Sequence, residues 1–92
     1  MEFTTPVLSG YTIYGKTNCP YCVKAKDILE EFNEEYTYIN CDDYLLADKE
    51  AFLEFIEKAA GKAHKTFPMI FSSAKFVGGY MDLCKILLDA DE

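Results

Sequence analysis

Apolar positions along the chain follow two repeat lengths, which predict short strands alternating with amphipathic helices. Runs rich in β-branched and aromatic residues, bounded by glycines or polar turns, predict four strands. The strands are expected at residues 11–14 (YTIY), 36–40 (YTYIN), 69–72 (MIFS) and 75–77 (KFV). Apolar residues three and four positions apart predict three helices. Their expected bounds are Pro20 to about Asn33, about Asp48 to Ala60, and roughly Tyr80 to Leu88.

The segments between these elements are short and polar. Residues 1–9 are expected to form a loose lead-in, and residues 42–44 a loop. The pair Ser73-Ala74 has the length of a tight hairpin turn, although its residues are unusual for one. Gly78-Gly79 separates the last strand from the last helix, and the acidic tail DADE ends the sequence. None of these segments has the length or composition of a linker between domains.

The predicted order of elements is β-α-β-α-β-β-α, which indicates an α/β fold. The first two strands, joined by a helix, should be parallel with a right-handed crossover. The final hairpin should add an antiparallel pair, which gives a mixed four-stranded sheet flanked by helices. Because 92 residues leave too little interior for two cores, residues 1–92 are expected to be a single domain.

Charge and hydropathy narrow the classes of partner. The formal net charge is −7, and all nine basic residues are lysines. This balance argues against nucleic acid and anionic membranes as partners. The first residues lack the basic and apolar regions of a signal peptide, and no apolar run approaches the roughly 20 residues of a membrane span. A cytoplasmic location is therefore expected.

The motif CPYC at residues 19–22 carries the clearest chemistry. Pro20 suits the first position of a helix, so the free amide hydrogens of the first turn should lie near the Cys19 sulfur. These donors and the helix dipole favour thiolate over thiol, so the pKa of Cys19 should be depressed. Cys22 lies one turn further in and should remain a buried thiol. We therefore expect Cys19 to attack and Cys22 to resolve.

The main benefit of a depressed pKa is that it makes Cys19 a better leaving group. Lowering a thiol pKa from about 8.5 to about 4.5 raises the thiolate fraction at pH 7 roughly 30-fold. The accompanying loss of nucleophilicity is roughly 40- to 100-fold, so the two effects nearly cancel during attack. The low pKa then chiefly makes Cys19 easy to expel from a disulfide.

Other roles for the cysteines stay open on the sequence alone. A zinc site usually needs a second cysteine pair or a histidine pair, and Cys41, Cys84 and His64 are scattered along the chain. No metal site is therefore predicted. Cys41 and Cys84 are interpreted as core sulfurs, with redox-sensitive side sites as the alternative. In a reducing compartment, a CxxC pair is more often catalytic or metal-binding than a permanent brace.

Three segments together resemble the glutaredoxin family, a branch of the thioredoxin fold. CPYC is similar to the dithiol signature of that family. Thr66-Phe67-Pro68 resembles its TVP segment, whose proline is cis and faces the cysteines, and Gly78–Asp82 (GGYMD) resembles its GG-x-x-D segment. The resemblance covers nearly the whole chain. It implies a thioredoxin fold and a glutathione-dependent thiol–disulfide oxidoreductase, with glutathione as co-substrate and no metal.

The resemblance also implies a glutathione site. Lys16 and Lys65 would pair with the glycine carboxylate, and Tyr21 would flank the sulfur. The backbone of Phe67 would pair with the cysteinyl unit, while the opening of the last helix would bind the γ-glutamyl end. The implied residues are Lys16, Tyr21, Lys65, Thr66, Phe67, Pro68, Gly79, Met81 and Asp82.

Two positions depart from the pattern of the family. Phe67 stands where members often carry valine, and its bulk is expected to reshape the groove. Met81 stands where Ser, Thr or Asp is common, so only its backbone remains as a polar contact. These departures bear on affinity and substrate preference rather than on the chemistry.

The implied partners are disulfide-bonded or glutathionylated proteins, with ribonucleotide reductase as one candidate, and the implied state is a monomer. One alternative is a redoxin of the same fold that is reduced by thioredoxin reductase. Lys16, the GG-x-x-D segment and the absence of tryptophan argue against it. Another is a glutathione-ligated iron–sulfur carrier, a role associated mostly with a single-cysteine CGFS motif. A binding module with an inert cysteine pair is the third.

Overall fold

The computed structural model describes residues 2–89 and contains seven elements in the predicted order. The strands are β1 (Tyr11–Gly15), β2 (Tyr36–Asn40), β3 (Met69–Ser72) and β4 (Lys75–Gly78). The helices are α1 (Pro20–Glu31), α2 (Asp42–Ala60) and α3 (Tyr80–Asp89). The last three residues of the acidic tail lie outside the described residues. Within residues 2–89, no helix is both long enough and apolar enough to cross a bilayer.

The four strands form one mixed sheet in the order β2-β1-β3-β4. β1 runs parallel to β2, with Tyr11 opposite Tyr36, and antiparallel to β3, with Tyr11 opposite Ser72. β3 and β4 form the predicted antiparallel hairpin. The expected α/β architecture, a thioredoxin fold, is thereby confirmed, and β1 lies in the interior of the sheet.

Helices cover both faces of the sheet. Alternate residues of β1 point to opposite faces, and apolar residues on each face pack against a helix. Ile13 packs with Leu29 of α1 and Leu83 of α3 on one face. Tyr14, its neighbour in sequence, packs with Phe52 and Ile56 of α2 on the other face. Every residue of β1 is buried, as expected for a strand covered on both sides.

The start of α2 corrects the sequence prediction. Residues 42–44 were expected to form a loop, but they belong to the first turn of α2. Two acidic residues at a helix N-terminus interact favourably with the helix dipole, although in a sequence they resemble a polar loop. The predicted start at Asp48 corresponds instead to a break within α2, where Asp48 is extended (φ −164°). Its carboxylate accepts a hydrogen bond from Ala51 N at 3.1 Å and so caps the second part of the helix.

The end of α1 and the packing of the lead-in also differ from the predictions. Helix α1 ends two residues before Asn33, because Asn33 adopts a left-handed conformation (φ 57°) that is typical after a helix end. The lead-in is not loose, since the ring of Phe3 packs 5.0 Å from Tyr44 and 5.5 Å from Phe52. The Tyr14 hydroxyl also donates to Thr4 O at 2.6 Å, which ties this segment to β1.

The β3–β4 turn places both of its central residues in the left-handed region, at φ 49° for Ser73 and 67° for Ala74. A left-handed conformation costs an ordinary residue roughly 1–2 kcal/mol. We expect the Asn-Gly replacement of this pair to raise the free energy of unfolding by about 1 kcal/mol, because Asn and Gly suit this turn. Chemical denaturation measures the change.

The exposed Ala59 of α2 offers a matched control for that replacement. Ala59→Gly should lower the free energy of unfolding by about 1 kcal/mol, because glycine is a poor helix former. Equal destabilisation by both substitutions would contradict the left-handed turn.

Candidate active site

The cysteine pair lies where β1 passes into α1. Residues 16–18 form the connecting loop, in which Asn18 is left-handed (φ 58°). Cys19 is the N-cap of α1, and Pro20 occupies the first turn. The Cys19 sulfur accepts a hydrogen bond from Cys22 N at 3.2 Å. The sulfur therefore lies at the positive end of the helix dipole, as the sequence predicts.

The two cysteines are joined by a disulfide, with their Cα atoms 5.2 Å apart. This separation is within the usual range for a disulfide, so the pair can close without moving the backbone. Cys22 is completely buried, whereas Cys19 keeps 8% of its surface exposed. An incoming sulfur can therefore reach Cys19 more readily than Cys22, which supports the expected division of roles.

A groove near the cysteine pair gathers most of the residues predicted to bind glutathione. We call it the proline groove, and its volume is about 290 Å³. It is bordered by the start of α1, the segment before β3 and the start of α3. Seven of its lining residues were predicted from the sequence: Tyr21, Thr66, Phe67, Pro68, Gly79, Met81 and Asp82.

The shape of this groove depends on two backbone features. The Phe67–Pro68 peptide bond is cis, as the resemblance implies. Gly78 has φ 132°, and a Cβ at this position would overlap the Asp82 carboxylate. That carboxylate accepts a hydrogen bond from Gly79 N at 3.0 Å. The Asp82 side chain is therefore held at the N-terminal end of α3, on the wall of the groove.

The bulk of Phe67 is accommodated mainly by the core. Its ring lies parallel to that of Phe52, with centroids 6.2 Å apart, and belongs to the aromatic cluster beneath α2. Lys16 Nζ lies 5.3 Å from the centre of the same ring. Met81, the other departure, is 72% exposed, so its side chain forms an outer edge of the groove.

The two lysines predicted to bind a carboxylate lie outside the proline groove. Lys16 lies next to the proline groove, because its Nζ lies over the ring of Phe67, which lines that groove. Lys16 also lines a second groove together with Cys19. Lys65 lines a separate depression against α2, which also contains Glu50, Glu54 and Glu57. The structure therefore places Lys16 near the site and Lys65 among acidic residues of α2.

Two residues that the sequence prediction omitted line the proline groove. His64 lies in the loop before β3, where its Nε2 lies 3.5 Å from Thr66 Oγ1 and its ring packs edge-on against Phe76. Tyr80 packs against Tyr21, with ring centroids 5.7 Å apart. The available signal was that Tyr80 lies within the GGYMD segment and His64 lies two residues before Thr66.

A hydrogen-bonded clamp holds the active-site loop to the start of α2. Asp42 accepts hydrogen bonds from Thr17 N at 3.0 Å and from the Thr17 hydroxyl. Asn40 accepts from Asp42 N at 2.9 Å, which fixes the turn that presents the carboxylate. The loop between β1 and Cys19 is therefore anchored at its middle residue.

This clamp lowers the pKa of Asp42, chiefly through the Thr17 hydroxyl and then the Thr17 amide. We expect Thr17→Val to raise the Asp42 pKa toward its ordinary value, as followed by NMR titration of the side-chain carboxyl carbon. Because the folded-state pKa is lowered, the clamp stabilises the fold above the unfolded-state pKa of about 3.9. That stabilisation is lost as the pH falls through the lowered value.

Thr37 on β2 is exposed and offers a matched threonine-to-valine control. Thr37→Val should leave the Asp42 titration unchanged. An Asp42 pKa that does not move in Thr17→Val would contradict the clamp.

The remaining cysteines are not part of the grooves. Cys41 is completely buried, and burial, aided by the Asp42 carboxylate, raises its pKa to about 12. It is therefore a thiol at neutral pH, in agreement with its interpretation as a core sulfur. Cys84 is half-buried on α3. Among residues 2–89, no three His, Cys, Asp or Glu side chains are grouped so as to hold a metal ion.

Comparison with known proteins places these features in a family. The family model described as Glutaredoxin matches residues 11–77. Glutaredoxin 1 of Rickettsia conorii is 37% identical over 86 residues, covering 94% of this chain and 76% of the relative. Glutaredoxin 1 of Escherichia coli is 35% identical over 75 residues, covering 76% of this chain and 82% of the relative.

A solved structure agrees with these sequence relatives. The crystal structure of glutaredoxin 1 from Francisella tularensis, complexed with cacodylate, superimposes with a TM-score of 0.73. It shares 28% sequence identity, and the match covers 89% of this chain and 96% of that one.

Proposed function

The chain belongs to the glutaredoxin family, whose members are thiol–disulfide oxidoreductases, and we propose that its own reaction depends on glutathione. Its substrates are then protein disulfides and mixed disulfides between glutathione and a protein. The observation that carries this proposal is the proline groove, which collects seven predicted glutathione residues from three separate segments near the cysteine pair.

In the proposed cycle for a glutathionylated protein, reduced Cys19 attacks the glutathione sulfur. The bond between that sulfur and the substrate sulfur breaks, and the substrate leaves as a thiolate that takes up a proton. The thiolate of a second glutathione then attacks the glutathione sulfur on Cys19. Oxidised glutathione leaves, and Cys19 is expelled as a thiolate. Each step exchanges one sulfur–sulfur bond for another, as thiol–disulfide exchange requires.

Protein disulfides require the second cysteine. Cys19 attacks one substrate sulfur, and the other substrate sulfur leaves as a thiolate. Cys22 then attacks the Cys19 sulfur, which releases the second substrate thiol and closes the Cys19–Cys22 disulfide. Two glutathiones reopen that disulfide. The Cα separation of 5.2 Å between the two cysteines supports this closing step.

The groove also suggests how glutathione is oriented. The Pro68 segment offers backbone groups to an extended tripeptide, as in the addition of a short strand. The start of α3 offers amide hydrogens to the γ-glutamyl carboxylate, because a helix N-terminus favours an anion. Lys16, next to the groove through Phe67, supplies a cation for the glycine carboxylate.

We propose a cytoplasmic location, because a reducing compartment keeps a CxxC pair available for exchange. The proposed state of the enzyme is a monomer. Ribonucleotide reductase is one proposed protein substrate. The identity of the reductant tests the proposal most directly.

The test measures NADPH oxidation with the cysteine–glutathione mixed disulfide as substrate. One assay contains glutathione and glutathione reductase, and the other contains thioredoxin reductase instead. We expect turnover with glutathione and glutathione reductase and little with thioredoxin reductase. Turnover only with thioredoxin reductase would overturn the dependence on glutathione, while leaving membership of the family intact.

A further inference from the structure

A second and larger groove borders Cys19. We call it the lysine groove, and its volume is about 590 Å³. Its lining consists of residues 16–20, Val23, Lys26, Tyr38 and Asn40. Within the described chain it shares no lining residue with the proline groove. A molecule bonded to Cys19 therefore has two separate surfaces on which its two parts can lie.

The charge of the lysine groove is opposite to that of the whole chain. Lys16 and Lys26 line it, and none of its lining residues among the described ones is acidic, whereas the chain has a net charge of −7. The acidic group near Lys16 is Asp42, whose carboxylate is engaged by the amide and hydroxyl of Thr17. Two ammonium groups therefore dominate the charge of the groove lining. Because Lys16 is assigned to the glycine carboxylate of glutathione, Lys26 is the ammonium group of this lining that is left for the protein part.

Lys26 is held in place by its neighbours. Its Nζ lies 4.3 Å from the centre of the Tyr38 ring, close enough for a cation–π interaction. The Tyr38 ring in turn lies over Gly15, where a Cβ would overlap the Tyr38 hydroxyl. Half-burial and this stacking reduce the conformational freedom that Lys26 would lose on binding an anion.

The groove also offers apolar contact beside its charges. Val23 on α1 is 51% exposed and lies on the lining between the cysteine and Lys26 along the helix. An extended peptide can therefore place an apolar side chain on Val23 and a carboxylate near Lys26. This combination suits a polypeptide better than a small inorganic anion.

Resting on the proposed function, we propose that the lysine groove binds the acidic polypeptide segment that flanks the reactive cysteine of a protein substrate. The glutathione part of the mixed disulfide lies in the proline groove, and the protein part lies in the lysine groove. Cys19 attacks the glutathione sulfur, the bond to the substrate sulfur breaks, and the acidic segment leaves with its thiol. A long polyanion such as nucleic acid is disfavoured, because the rest of the chain repels it.

The test uses two peptides of equal length that carry glutathione on a central cysteine. One peptide has aspartate and glutamate around the cysteine, and the other has asparagine and glutamine at the same positions. We expect a higher kcat/KM for the acidic peptide, and Lys26→Gln should lower that value by about 3- to 5-fold. The preference should shrink as salt is added, because the charges are partly exposed.

Matched variants separate charge at this position from general effects. Lys26→Arg keeps the charge and should retain the preference. Lys49→Gln removes an exposed lysine from α2 and should leave both peptides unchanged. Equal kcat/KM for the two peptides, or an equal loss on both in Lys26→Gln, would overturn the inference.

A small substrate distinguishes failure of this inference from failure of the proposed function. The cysteine–glutathione mixed disulfide has no flanking segment, so Lys26→Gln should reduce it at the wild-type rate. Normal turnover of the small substrate without any peptide preference overturns the acidic-segment site alone. Absence of glutathione-dependent turnover on every substrate overturns the proposed function and this inference together.

Discussion

Cys19→Ser should lower glutathione-dependent turnover by at least about 10³-fold on every disulfide substrate, as removal of a catalytic nucleophile typically does. Of the paired sulfurs, Cys19 has the exposed surface and lines a groove, and its sulfur lies at the N-terminus of α1. A serine hydroxyl in the same place forms no disulfide and cannot carry glutathione between the two half-reactions. The measurement is NADPH oxidation coupled through glutathione reductase.

Cys22→Ser should behave differently, because Cys22 is completely buried behind Cys19. Reduction of glutathione mixed disulfides needs only Cys19 and should continue. Reduction of protein disulfides needs an internal sulfur to release the bound substrate and should be lost. The two substrates measured side by side therefore assign the attacking and resolving roles.

Cys84→Ser is the matched control, since Cys84 lies on α3 and lines neither groove. It should retain activity on both substrates. Turnover that survives in Cys19→Ser would remove Cys19 from its catalytic role, and mixed-disulfide activity lost in both single variants would contradict the division of roles.

Phe52→Ala should lower the free energy of unfolding by about 3–5 kcal/mol, the usual cost of removing a buried aromatic side chain. Phe52 is completely buried, and its ring contacts other aromatic rings in the core on the α2 face of the sheet. The rings with centroids within 6.4 Å of it belong to Phe3, Tyr14, Tyr44, Phe55 and Phe67. The loss is a large part of the roughly 5–15 kcal/mol that stabilises a typical domain.

Chemical denaturation of the reduced and the oxidised protein measures this change by linear extrapolation. Leu46→Ala is the control on the same helix, because Leu46 is 86% exposed and should change stability by no more than about 0.5 kcal/mol. A loss below about 1 kcal/mol in Phe52→Ala would contradict the aromatic packing described for this face.

The same substitution links the core to the site. Phe67 lies on Phe52 and directly precedes the cis proline of the proline groove. Loss of the stacking partner therefore removes one support of the groove wall. The aromatic residue at position 67 is stabilised by a core that can accept its ring.

Much of the fold could be predicted from the chain because local patterns and the tertiary structure agree. The strands at 36–40 and 69–72 begin and end as predicted, since short β-branched and aromatic runs suit a sheet. The start of α2 could not be predicted in the same way. In the sequence, its acidic first turn has the composition of a loop. The hydrogen bonds of Asp42 with Thr17 and Asn40 are seen only in the structure.

The candidate site, like the fold, could be predicted only in part from the sequence. CPYC, with Pro20 after Cys19, was sufficient to place the first cysteine at a helix N-terminus, because capping depends on residues adjacent in the chain. The segments around Pro68 and Gly79 were assigned through their resemblance to a family. Their meeting in one groove, together with His64 and Tyr80, depends on contacts between residues that are distant in sequence.

The sequence by itself determined the order of the elements, the unequal positions of the two cysteines and the family, because these depend on local periodicity and short motifs. Only the tertiary structure decided that Lys26 lines a groove with Cys19 and that Lys65 does not. Lys16 and Lys26 both line the lysine groove, while Lys65 lines a depression that contains Glu50, Glu54 and Glu57 of α2. The physical reason is that the packing of helices on a twisted sheet sets the direction of each exposed side chain, and no local pattern encodes that direction.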